Sequence, residues 1–169
     1  MARPLPADYA AYYQNYIAQL QGNSIKELIA NYANHFINVF NEIPESKADY
    51  AYADGKWTIK EVLQHIIDAE RVFVYRALRI ARKDSYDLPG FDENEFAVNA
   101  HAASRPFASL KEEFSLIRKS TDLFLLSFTE EDLELKGSAN QHPVSVRAIA
   151  FIIFGHTRHH IQVIEERYC

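Results

Sequence analysis

Thr58-Ile59-Lys60-Glu61-Val62-Leu63-Gln64-His65-Ile66-Ile67-Asp68-Ala69-Glu70-Arg71 reads as the opening of a long amphipathic helix. Thr58 followed three residues later by Glu61 is a capping box, in which each side chain satisfies a backbone N–H left free at a helix start. The apolar positions Ile59, Val62, Ile66, Ala69, Phe73, Ala77 and Ile80 then recur at spacings of three and four. The helix should persist to about Ala81. His65 falls at the edge of this apolar arc, with Glu61, Asp68, Ala69 and Val72 around it.

The same punctuation recurs on both sides. Upstream, Asn23 or Ser24 caps a helix running to about Ile43, ended by Pro44. Its apolar set is Ile25, Leu28, Ile29, Tyr32, Phe36, Val39, Phe40 and Ile43. Residues 44–57 form a long connection with an Asp54-Gly55 turn. Downstream, residues 82–92 are a second connection containing Pro89-Gly90, and a short helix follows over about Glu93 to Ala100. A third long helix starts at Ser104 or Ser109, carries Leu110, Phe114, Ile117, Leu123, Phe124 and Leu126, and ends near Phe128. One further turn covers Thr129 to Leu133. The loop from Lys136 to Pro143 leads to Ser145, the cap of a fourth helix that reaches about Tyr168. Tyr9, Tyr12, Tyr13, Tyr16 and Ile17 mark residues 1–22 as an aromatic segment that packs across the bundle. No stretch shows sustained period-two alternation, so no sheet is expected. The fold class is all-α: a four-helix bundle with long connections and short extra helices, in a single domain over 1–169.

Composition narrows the function. The chain has 169 residues, 48% hydrophobic and 24% charged, as in a globular protein of one domain. The net charge is −5 and no basic run occurs, which argues against nucleic acid as a partner. No apolar run reaches 18 residues and no secretory signal is visible, so the expectation is a cytoplasmic protein without membrane contact. Cys169 is the only cysteine, read as an incidental terminal thiol. It allows no internal disulfide and argues against thiolate ligation of a metal. So many aromatics make a homodimer plausible, with no seam assignable.

The histidines carry the chemistry. His156 and His160 lie one turn apart on the fourth helix, within the arc of Ile149, Ile152, Ile153, Val163 and Ile164. Two polar rings in a core stripe are costly unless partnered. With His65 from another helix they make three imidazoles able to hold a transition metal and leave positions open for water or substrate. A histidine pair at this spacing also arises by chance, and a tyrosine hydroxyl or backbone carbonyl satisfies many core histidines. His159 is a flanking candidate. Asp68, one turn after His65, is a candidate to orient an imidazole, with an ion pair to Arg71 or Arg76 as the alternative. Glu61 serves as capping-box carboxylate or, less simply, as a general base. His35, His101 and His142 receive a structural reading. A site built on His65 should sit off-axis, towards the bundle surface.

The segments Trp57–Arg71, Leu88-Pro89-Gly90-Phe91-Asp92-Glu93-Asn94, His142-Pro143-Val144-Ser145-Val146-Arg147 and Gly155-His156-Thr157-Arg158-His159-His160 resemble the DinB-like superfamily, in the same order and across about Asn23 to Tyr168. The resemblance implies a four-helix bundle with a three-histidine divalent metal site, and carries over residue by residue to His65, His156 and His160. Some relatives have a further histidine where this chain has Val163. Several are transferases or isomerases that use a low-molecular-weight thiol. The resemblance therefore implies a metal-dependent thiol S-transferase acting on small electrophiles in stress or detoxification. The alternatives are a hydrolase on the same site, or a metal-binding stress-response protein without turnover. Imidazole ligands suit zinc or nickel first, with iron or copper as options.

Overall fold

The computed structural model describes residues 3–168; Met1, Ala2 and Cys169, including the terminal thiol, lie outside the described residues. Four long helices carry the architecture: α2 (Ile25–Glu42), α3 (Ile59–Ala81), α5 (Phe107–Leu126) and α7 (Val146–Arg167). Shorter helices α1 (Gln14–Ala18), α4 (Glu93–Asn99) and α6 (Glu130–Glu134) fill the connections. The caps sit where the side-chain chemistry puts them. Ser24 accepts from the Glu27 amide, Thr58 and Glu61 close the capping box, and Ser145 accepts from the Ala148 amide. α2 stops at extended Ile43 because Pro44 follows.

The principal helix pairs are α2 with α5, α5 with α3, α3 with α7, and α7 with α2. Helices consecutive in sequence, α2 and α3, therefore lie across the diagonal. This accounts for the long connection between them, which must cross one end of the bundle. The core closes around Phe36, Phe40, Phe114 and Phe154, with Leu28, Leu63, Ile66 and Ile67 filling between them. α7 is buried on every face from Val146 to Thr157, since α2, α3, α1 and α6 all pack on it. α1 crosses it so closely that a Cβ built on Gly155 falls 2.6 Å from the Tyr16 carbonyl carbon. Buried Tyr9, Ile17 and Leu20 hold the N-terminal segment down.

Three expectations need correction. A small sheet exists: β1 (Asp87–Leu88) pairs in parallel with β2 (Lys136–Ala139), and β2 pairs antiparallel with β3 (His142–Ser145). The Lys136–Pro143 loop is a hairpin turned by Asn140 and Gln141, both with positive φ, the geometry that suits the twist of two strands. The strands are too short to show alternation. α5 begins at Phe107 behind Pro106, so neither Ser104 nor Ser109 caps it. Its buried face is Phe107, Leu110, Phe114, Arg118, Thr121 and Leu125, while Leu123 is 72% exposed and Leu126 is also exposed. A buried arginine, Arg118, stands on that face where periodicity expects an apolar residue, so the apolar positions alone do not trace it. Arg118 is fully enclosed, bonded to Glu70 of α3 at 2.9 Å and to Asp122 at 3.0 Å, with its guanidinium over Phe154.

Candidate metal centre

α3 and α7 bring His65, His156 and His160 together. Nε2 of His65 lies 3.0 Å from Nε2 of His156, which lies 3.2 Å from Nε2 of His160. All three ring nitrogens fall within 4.8 Å of one another. Nitrogens about 2.0–2.1 Å from a tetrahedral zinc stand about 3.4 Å apart, so the two spacings to His156 are near those of zinc ligands, with the remaining pair inside the 4.8 Å limit. The donor set fits a borderline divalent metal: nitrogen only, with no carboxylate or thiolate completing it among the described residues.

Burial prepares the rings for that role. Burial pushes the His65 pKa down to about 4, and burial followed by mutual repulsion drives His156 and His160 well below the ordinary range. At neutral pH all three are neutral, with lone pairs free to donate. Aromatic walls keep them so: Trp57 stands 4.8 Å from His65, Phe73 5.7 Å from His156, and Tyr16 5.8 Å from His156.

His65 is only 5% exposed, deeper than its place at the edge of the arc implies, because Trp57 folds over it from the preceding connection. Access comes from two hollows flanking the trio. One, about 310 Å³, is lined by Tyr12, Tyr13, Phe73, Arg76, His65 and His156. The other, about 340 Å³, is bounded by Trp57, His159, His160, Val163 and Tyr168. Glu93, at the start of α4, borders both.

The remaining candidates are placed differently. Asp68 accepts from Gln64 at 3.0 Å and faces Arg71 at 3.6 Å, so its partners are these two side chains rather than an imidazole. Glu61 is engaged in the Thr58 cap. His159 is partly exposed, 5.1 Å from His160 and 5.1 Å from Tyr16. His35, His101 and His142 are exposed and do not join the trio. Sequence reasoning singled out none of Trp57, Tyr16, Arg76, Glu93 and Asn140 individually as a cleft residue. All but Arg76 lie outside the long helices, where no periodicity marks a facing side.

A family model for the DinB superfamily matches residues 28–164. The chain belongs to the DinB superfamily. Within reach of this DinB chain are two bacterial proteins each described as a "putative metal-dependent hydrolase". One, from Bacillus pumilus, is 26% identical over 146 residues, 82% of this chain and 79% of that protein. The other, from Oceanobacillus iheyensis, is 28% identical over 71 residues, 41% of this chain and 40% of its own length. Among solved structures, YfiT from Bacillus subtilis, described as "a probable metal-dependent hydrolase with an unusual four-helix bundle topology", superposes with a TM-score of 0.71 at 14% identity. The match covers 97% of this chain and 90% of YfiT. A Streptococcus pneumoniae protein gives 0.64 at 17% identity, covering 92% and 98%. At these identities the structural likeness speaks for the DinB bundle alone. No helix among the described residues is long and apolar enough to cross a membrane.

Proposed function

We propose that the protein is a metal-dependent enzyme of small-molecule chemistry, with His65, His156 and His160 as the ligands of one divalent cation, zinc or nickel in preference to iron or copper. One observation carries this: three neutral imidazoles, those of His65 and His156 buried and that of His160 partly buried, turn ring nitrogens toward one another between two hollows open to solvent. A cation held there supplies positive charge that lowers the pKa of a water or thiol at an open coordination position. The protein's own residues fix the donor nitrogens, exclude bulk water with Trp57, Phe73 and Tyr16, and leave two arms for reactants.

Hydrolysis is the first reading, supported by the descriptions of the relatives and by His159. Burial lowers the pKa of this half-buried ring, so it is neutral near pH 7 and free to take a proton beside the trio. Thiol S-transfer is the second reading, favoured by a specific feature: Asp68 and Glu61 are both occupied elsewhere. A thiol gives up a single proton, which His159 or solvent can accept, and the thiolate left behind attacks without any further deprotonation.

A metal-free and a metal-loaded preparation test the proposal and separate its branches. An ester panel reports hydrolysis; consumption of a thiol with monochlorobimane reports transfer. Activity in one assay, present only with metal, is expected; equal rates in both preparations refute a metal-dependent enzyme. His156→Ala and His160→Ala should each abolish stoichiometric metal uptake, while His142→Ala retains it. Unchanged uptake in the first two removes them from the ligand set.

A further inference from the structure

Three arginines are buried, and two of them are neutralised twice over. Arg118 meets Glu70 and Asp122; Arg147 meets Glu130 and Glu134. Arg76, at 6% exposure on α3, forms no ion pair with any carboxylate among the described residues. Its Nη2 donates to the Pro89 carbonyl at 2.6 Å, its Nε is buried without a partner, and its guanidinium carbon lies 5.9 Å from the Phe73 ring centroid. An enclosed cation without a counter-charge is costly to maintain.

That charge faces the hollow of about 310 Å³ which His65 and His156 also line. Tyr12, Tyr13 and Asn140 border the same space, adding hydrogen-bond donors around the guanidinium. Burial pushes the Tyr13 pKa up, so its hydroxyl stays protonated and able to donate. The Phe73 ring separates the cationic end from the imidazole end, lying 5.7 Å from His156. The hollow thus has an anion-accepting pole and a metal-accepting pole, with an apolar wall between them.

We propose that Arg76 is the counter-charge for a carboxylate on the substrate: the enzyme takes a small organic acid whose reactive group lies at the far end from its carboxylate. A monoanion matches the single guanidinium, whereas a phosphate dianion would oppose Glu93, which also borders the hollow. The word substrate rests on the trio being the reaction centre; binding of the carboxylate does not.

The test therefore begins without metal. Wild-type protein labelled with ¹⁵N is titrated with hexanoate, hexanol and hexyl phosphate, reading the Arg76 Nε–H resonance. Hexanoate should perturb it saturably and bind about ten-fold or more tightly than hexanol, as a charge-assisted hydrogen bond demands. Arg76→Met should abolish that preference and Arg76→Lys should retain part of it. Equal affinity for hexanoate and hexanol in the wild type overturns the proposal whatever the variants do, and tighter binding of hexyl phosphate overturns the carboxylate assignment. A second arm repeats the comparison on metal-loaded protein with 6-mercaptohexanoate and 6-mercaptohexanol. Loss of metal uptake there strikes the reaction centre and leaves the first arm standing.

Discussion

Gly155→Ala places one methyl group where α7 and α1 touch. A Cβ at that position falls 2.6 Å from the Tyr16 carbonyl carbon and nearer still to its oxygen, against ordinary contacts that begin at 3.4 Å. One backbone must retreat by roughly 1 Å, since both partners are main chain rather than a flexible side-chain tip. Two opposing effects set the magnitude. Replacing glycine inside a helix contributes about 0.5–1 kcal/mol of stability through backbone entropy. Overpacking costs about 1–3 kcal/mol, and the shift also stretches the 2.7 Å bond from Gln19 Nε2 to the Gly155 carbonyl. The net expectation is a loss of about 1–2 kcal/mol. Equilibrium urea unfolding followed by circular dichroism gives the total, and amide hydrogen exchange over residues 14–18 should rise selectively. Tyr16 stands beside His156 and His159, so the displaced segment also unroofs the trio. A variant more stable than wild type by about 1 kcal/mol, with α1 protected as before, would refute the close crossing.

Acid should destabilise the metal-free protein through its histidines. His65 has a folded pKa of about 4 against an ordinary 6.5, and His156 and His160 shift the same way. Between those values the unfolded chain binds more protons, so stability is full above pH 6.5 and falls as pH drops towards 4, by about 3 kcal/mol for His65 alone. Urea midpoints measured from pH 7.5 to 4 check this; a flat profile contradicts it. In the α3–α5 core, Arg118→Met strands the buried Glu70 carboxylate and should cost about 3–5 kcal/mol, whereas Glu70→Leu combined with Arg118→Met should recover much of the loss. A double-mutant cycle in urea measures the coupling, and simple additivity would show that the pair does not act as a unit.

Helix positions were legible wherever a cap and a period coincided. Ser24, Thr58 and Ser145 announce α2, α3 and α7, and Pro44 ends α2. His65, His156 and His160 were legible as candidates because a polar ring inside an apolar arc is anomalous. Local signals faded where tertiary contacts replaced them. Pro106 opens α5 without a side-chain cap, and Arg118 occupies a core position that periodicity assigns to an apolar residue. The hairpin at Asn140-Gln141 is too short for alternation to register. Arg76 reads from sequence as an ordinary helix arginine; that it is buried without an ion pair is visible only in space. The cleft is written in residues from five segments, and no local pattern links Tyr13, Arg76, Glu93, Asn140 and His156.

The diagonal placement of α2 and α3 bears on how the chain reaches this state. The helix enclosed by its companions is also the one that follows them in chain order, so during synthesis α2, α3 and α5 emerge with the seam for α7 still uncovered. Tyr16, made early, meets His156, made much later, and such distant pairings slow the search for the folded state. The three-histidine cluster therefore assembles late, and the interval before α7 docks is when apolar surface is most open to aggregation or to a chaperone.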